Sequence, residues 1–161
     1  MGSGKSTVSK KLAEKLNFEA LDLDDYIVSH ENSSINTIFK ERGEIYFRKK
    51  ERFYLDKVLK EEDNLILALG GGTPCYGDNM NLIVASSKSV YLRGNIPTLV
   101  SRLSNAQEER PLIATLAPDQ LNEFVAKHLF ERRNFYEQAD FTVSIDQKTV
   151  EEITEEIYRL V

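Results

Sequence analysis

The chain opens on Gly2-Ser3-Gly4-Lys5-Ser6-Thr7, and that stretch leaves few folds open. Gly4-Lys5-Ser6 is the closing part of the phosphate-loop pattern G-x-x-x-x-G-K-[ST]. Glycines there let backbone N–H groups curl around phosphate oxygens. The lysine carries charge to the β- and γ-phosphates, and the hydroxyl can ligate Mg²⁺. Ser6 to Leu16 reads as a helix, with Val8, Leu12 and Leu16 at helical spacing, so its positive end faces the same anion. The pattern's first glycine would fall before Met1, and no strand precedes the loop. Taken alone, G-S-G-K-S also reads as a flexible start, and the helical periodicity directly after it argues against that.

Composition narrows the class. With 161 residues, 41% hydrophobic and 29% charged, the chain is one globular domain with a real core. A net charge of −5 speaks against a broad nucleic-acid face but not against an anionic small substrate, which local arginines can serve. A single cysteine, Cys75, excludes an internal disulfide, and neither a signal peptide nor a membrane-length apolar run is present. A cytoplasmic protein is expected, with no nucleic-acid or membrane partner.

Helices and strands alternate along the chain. Phe18 to Leu23 reads as a strand delivering Asp22-Leu23-Asp24 to its carboxyl end, where ligands gather in open α/β sheets. Alternation would put both carboxylates on one side of that strand. The same residues equally read as a helix cap with first-turn charge. Ile35 to Arg42 is a short helix closed by Gly43, and Glu44 to Glu61 a longer one with dense charge around Arg48. Its charges are mostly a solvated face with pairs such as Arg48 and Arg52 against Glu44 and Glu51.

Leu65-Ile66-Leu67-Ala68-Leu69 has the length and uniformity of a strand buried on both faces. It runs into Gly70-Gly71-Gly72, which allows close approach of a ligand or makes an ordinary turn. Met80–Ser86 (helix), Ser89–Leu92 (strand) and Thr98–Leu103 (helix opened by Pro97) follow. Ser104 to Pro118, polar and carrying Arg110, reads as a mobile lid. Asp119–Gln138 (helix), Phe141–Ile145 (strand) and Val150–Val161 (helix) close the chain. The alternation implies a parallel sheet covered on both sides, of which four strands are visible. Cys75 is expected to be a half-buried small residue, and His30 and His128 lack partners at metal spacing.

Taken together, these motifs resemble shikimate kinase, a P-loop kinase of the nucleoside-monophosphate-kinase type. The likeness rests on Gly-Ser-Gly-Lys-Ser-Thr, Asp22-Leu23-Asp24, the run from Gly43 to Glu51, Gly70-Gly71-Gly72, Arg110-Pro111-Leu112 and the run from Glu131 to Tyr136. The resemblance implies a three-layer P-loop NTPase fold whose five parallel strands run in the order 2-3-1-4-5. It implies ATP-dependent phosphorylation of the 3-hydroxyl of shikimate, with one Mg²⁺ ion, ATP as co-substrate and a monomeric enzyme. The domain would span 1–161, with a lid at 104–118 and a substrate-binding region at 24–52.

Residue roles come with the resemblance. Gly2, Ser3, Gly4, Lys5, Ser6 and Thr7 would cradle ATP, with Lys5 on the transferred phosphoryl group and Ser6 and Asp22 around Mg²⁺. Asp24 would hydrogen-bond the substrate hydroxyls and accept or orient a proton. Arg48 and Arg132 would grip the substrate carboxylate beside Gly70, Gly71 and Gly72. Arg110 would close over the phosphates and Arg102 would flank the adenine. Two guanidinium groups suit one small acid because each can bind a carboxylate bidentately. Glu51 is expected to be a structural partner for a pocket arginine.

The sequence departs from the family at Asn134, where proline is common, and at Leu23, where a small residue is common. Arg133 beside Arg132 leaves open which of them faces the pocket. The first, central strand of the family's sheet is absent. Burying its apolar side chains, at about 1.5–3 kcal/mol each, would contribute on the order of 10 kcal/mol, comparable to a whole domain's stability. The expectation is therefore that the biological chain begins several residues upstream of Met1. Two rival readings remain. One is a sister kinase such as gluconate kinase, which the Arg48 context and triple glycine disfavour. The other is a kinase-like module that binds nucleotide or an acid with little turnover.

Overall fold

Asparagine and glycine residues in left-handed or other positive-φ backbone, at Asn17, Asn32, Gly43 and Asn64, punctuate the first half of the chain. The computed structural model describes residues 2–61, 63–104 and 116–161. Helix α1 (Lys5–Leu16) buries Val8, Leu12 and Ala13 and ends at Asn17, whose left-handed backbone returns its N–H to Ala13 and Glu14. Strand β1 (Glu19–Asp22) follows, then α2 (Leu23–Glu31) and α3 (Ile35–Glu61). α3 is broken at Gly43, whose φ of 79° would strain any side chain, so the helix is two segments as the sequence suggested. Strand β2 (Leu65–Ala68), a short 3₁₀ turn at Thr73–Cys75, α4 (Asn79–Ser86), β3 (Val90–Arg93) and α5 (Ile96–Ser104) come next. The described chain ends with α6 (Pro118–Tyr136), β4 (Phe141–Ser144) and α7 (Val150–Leu160).

The strands pair in parallel, β1 with β2 and β3 with β4. These pairs match the 2-3 and 4-5 ends of the five-strand order, and among the described residues no strand stands between them. Alternation along β2 shows both faces covered. Ile66 packs into a core built on α1, α5, α6, β4 and α7, while Leu67 joins a second core of α2, α3 and α4. The continuous burial expected of Leu65 to Leu69 is not met: only Ala68 is fully buried. β2 has a strand partner on one side only among the described residues, which leaves its side chains half-covered.

Asp22-Leu23-Asp24 does not form the strand end that alternation suggested. The strand stops at Asp22, which is the N-cap of α2, and its carboxylate accepts the Asp24 N–H at 3.1 Å. Leu23 and Asp24 are helical, so the two carboxylates do not share a strand face.

The second core carries a polar rivet. Glu31, at the end of α2, accepts hydrogen bonds from the Tyr46 and Tyr54 hydroxyls, each at 2.7 Å. Lys50 Nζ lies 2.8 Å away and Arg42 Nη1 3.6 Å away. All four partners belong to α3, so this carboxylate fixes α2 against it. The hydrogen bond from Lys50, then those from the two tyrosines, hold the Glu31 carboxyl at about 2, against the partial burial that opposes them. A lowered folded-state pKa means that the stabilisation is complete above pH 4.5 and disappears as pH falls toward 2. Glu31→Gln is expected to cost about 1–3 kcal/mol at pH 7. In denaturant titrations the gap between variant and parent should close between pH 4.5 and 2, and a gap independent of pH would contradict this account.

Candidate active site

The loop before α1 is shaped for an anion. Gly4, at φ 83°, is the N-cap, and its carbonyl accepts from Thr7 and Val8 while no side chain caps the helix. α1 carries no acidic residue in its first turn, so its positive end is left uncompensated. Lys5 Nζ donates to Asp22 Oδ2 at 2.6 Å, and the Ser6 hydroxyl donates to the same oxygen at 3.3 Å. Ser3 and Gly4 lie against Arg102, whose Nη1 donates to the Ser3 carbonyl at 3.3 Å. Its Nη2 reaches the Ile145 carbonyl at 3.4 Å. Gly2 packs on Leu99 and Leu103 of α5.

A second cluster adjoins through Asp22. Its other carboxylate oxygen takes the Asp24 N–H, and the Asp24 carboxylate rests against Gly70, where a Cβ would meet its oxygens at 3.2 and 3.3 Å. At the other end of the triple glycine, a Cβ on Gly72 would meet Arg48 Nη2 at 3.1 Å and Nη1 at 3.2 Å. Both glycines are thus required by close approach. Burial raises the Asp24 carboxyl from its ordinary value, with Asp22 adding to this and Lys5 opposing it.

Arg48 is held by Glu51, as the sequence suggested. Glu51 is 1% exposed. Its Oε2 accepts Arg48 Nη1 at 2.8 Å and its Oε1 accepts the Thr73 hydroxyl at 2.7 Å. Tyr76 lays its ring 3.7 Å from the Arg48 guanidinium carbon. Arg48 also pairs with Glu44, whereas Arg52 turns to Asp78 and Asp56 and leaves Glu51 alone.

The neighbouring arginines on α6 part company. Arg133 points outward to Glu137 at 2.7 Å. Arg132 instead lines a cavity of about 30 Å³ with Leu99, Val125, His128, Leu129 and Tyr136. Tyr136 donates to the Gly71 carbonyl at 2.6 Å, and the charges of Arg132 and Arg48 both act on half-buried Cys75. Lys5, Ser6, Asp22, Asp24, Arg48 and the triple glycine therefore meet in one region, with Arg132 at its α6 border. Arg110 and most of the 104–118 segment lie outside the described residues. Thr73, Tyr76 and Tyr136 were not singled out from the sequence. Tyr136 falls within the α6 motif, while nothing in the sequence marks Thr73 or Tyr76 beyond their place after the glycines.

The family model for shikimate kinase matches residues 1–161. The chain belongs to the shikimate kinase family. The shikimate kinase of Flavobacterium psychrophilum is 42% identical over 99% of this chain and 94% of its own length. A crystal structure of the shikimate kinase of Bacteroides thetaiotaomicron superposes with a TM-score of 0.92 at 34% identity, covering 99% of this chain and 93% of that one. The shikimate kinase of Acinetobacter baumannii, solved in complex with shikimate, gives 0.87 at 30% identity over 99% and 87% of the two chains. These neighbours show that the chain has the parallel α/β fold of the family.

Gly72→Ala tests the close packing of Arg48. Gly72 has φ −86° and ψ −25°, a backbone that alanine adopts freely, so the backbone gain of about 0.4–1 kcal/mol is set against crowding of Arg48, which Glu51 holds in place, and a net loss of about 1 kcal/mol is expected. A crystal structure should show the guanidinium displaced by a few tenths of an ångström. An unmoved Arg48 would show that the pocket wall is looser than described.

Proposed function

We propose that this chain transfers the γ-phosphoryl group of ATP to the 3-hydroxyl of shikimate, giving shikimate 3-phosphate and ADP. The observation that carries the reading is the double use of Asp22. One of its oxygens takes the phosphate-loop Lys5 and the other takes the N–H of Asp24, so an anion-binding loop and an acid pocket share one joint. Membership of the shikimate kinase family supports it.

In this reading Gly2 to Thr7 wrap the phosphates and Lys5 leaves Asp22 for the transferred group. The Arg48 guanidinium, with Arg132, takes the substrate carboxylate against Gly70 to Gly72, leaving the hydroxyls toward Asp24. The substrate oxygen bonds to the γ-phosphorus as the bridge to the β-phosphate breaks, and Asp24 orients or accepts the hydroxyl proton. Its raised pKa suits that contact with a proton. Arg102 flanks the nucleotide base. Arg110 and the 104–118 segment close over the phosphates, and 24–52 forms the substrate-binding region. Positioning and charge neutralisation supply most of the rate in such transfers.

The Ser6 hydroxyl and Asp22 carboxylate, 3.3 Å apart, are hard oxygen donors of the kind that Mg²⁺ accepts beside phosphates and water. They would hold one ion there. Bound, Mg²⁺ neutralises charge on the phosphates.

Coupled ADP release tests the reading. Turnover should require MgATP and shikimate together. Arg48→Ala should raise KM for shikimate about 10- to 100-fold, as expected for losing a charge-assisted hydrogen bond, with KM for MgATP unchanged. Arg110→Ala should lower kcat by roughly a thousandfold, as for other phosphoryl-transfer arginines. Nucleotide binding without shikimate-dependent ADP release would refute the assignment.

A further inference from the structure

Besides Gly72 and the Phe47 ring, whose centroid is 5.1 Å away, three groups approach the Arg48 guanidinium and hold it very differently. Its Nη1 is tied to Glu51, which is buried and also holds Thr73. One face carries the Tyr76 ring at 3.7 Å. The side edge, Nε with Nη2, is straddled by a single oxygen of Glu44 at 3.4 and 3.5 Å. Those distances are well beyond the roughly 2.7–2.9 Å of a firm charge-assisted bond. The same Glu44 oxygen accepts the Tyr76 hydroxyl. The Glu44 side chain is 53% exposed and so has water as an alternative partner. Glu51 cannot yield without orphaning a buried threonine, whereas Glu44 can swing away at little cost.

A planar carboxylate binds arginine best through two parallel N–H groups, and the Nε–Nη2 edge offers such a pair. In this chain that edge already faces a carboxylate, loosely placed and tethered by a phenol. We propose that Glu44 and Tyr76 are positioning residues that set the affinity for the acid, with Tyr76 steadying the guanidinium by its face and Glu44 acting as a resident carboxylate that the substrate carboxylate displaces. This rests on Arg48 being the group that takes the substrate carboxylate.

The two residues act in opposite senses, which gives the test its pattern. Glu44 competes with the ligand, and Tyr76 both aids it through the ring and hinders it through the hydroxyl. Steady-state kinetics with MgATP should show Glu44→Gln lowering KM for shikimate about two- to fivefold, the scale of an exposed ion pair, with kcat and KM for MgATP unchanged. Tyr76→Phe keeps the ring and frees Glu44, so KM should fall in the same direction. Tyr76→Ala removes the ring and should raise KM. With shikimate methyl ester, which carries no carboxylate, Glu44→Gln should leave KM where it was. A Glu44→Gln enzyme whose KM for shikimate is unchanged or raised overturns the proposal, as does an equal fall for acid and ester. If Arg48→Ala itself leaves KM for shikimate unaltered, the assignment of Arg48 fails, and this proposal with it. If Arg48→Ala raises KM while Glu44→Gln does not lower it, only the competition is refuted.

Discussion

One buried carboxylate, Glu51, holds the acid pocket in shape. A charge removed from water is costly unless paired and hydrogen-bonded. Glu51 meets that demand by accepting Arg48 on one oxygen and Thr73 on the other. Thr73 in turn offers its carbonyl to buried Asn79 at 2.8 Å, which ties the turn to α4. Helix α3, the glycine loop and α4 are thereby set in one register, and the guanidinium is pressed against Gly72 in a single orientation. Removing either partner would leave a buried group unsatisfied, so the arrangement resists drift in a way that exposed pairs such as those of Lys11 with Glu151 and Lys15 with Glu155 do not.

The phosphate loop meets this pocket through Asp22. Capping α2 with one carboxylate oxygen fixes where Asp24 sits, and receiving Lys5 with the other fixes where the loop's cation rests. Farther out, Glu31 pins the far end of α2 to α3, so both ends of the short α2 are anchored. Asp24 at its start and Arg48 on α3 thus sit on anchored elements at the two ends of the triple glycine. Reactive groups held on rigid elements in this way need little reorganisation when ligands arrive.

Much of this was legible in the sequence, for identifiable reasons. Gly4-Lys5-Ser6 and the periodicity after it mark a helix opening on an anion because few other uses need those residues together. The Glu51 pairing was legible because helical spacing puts it one turn from Arg48. Asp22-Leu23-Asp24 was ambiguous, since an aspartate ends a strand and caps a helix equally well, and the structure chose the cap. The half-exposure of Leu65 to Leu67 was hidden because apolar content reports a preference for burial and not the number of neighbouring strands. Which of Arg132 and Arg133 turns inward depends on helix phase, and adjacent residues differ by about 100° around the axis. Tyr76 and Glu31 were invisible for a different reason: their hydrogen-bond partners among Tyr46, Tyr54 and Glu44 lie 15 to 32 residues away in sequence.

The acid pocket depends on the Glu51 link, which makes its arginine a fixed feature of the fold. Glu51→Gln keeps size and one acceptor while deleting the charge. KM for shikimate and KM for MgATP, measured beside a thermal melt, decide the matter. KM for shikimate should rise about tenfold, as for loss of a charge-assisted pair, with KM for MgATP unchanged and the fold intact. An intact variant that takes shikimate as well as the parent would contradict that dependence.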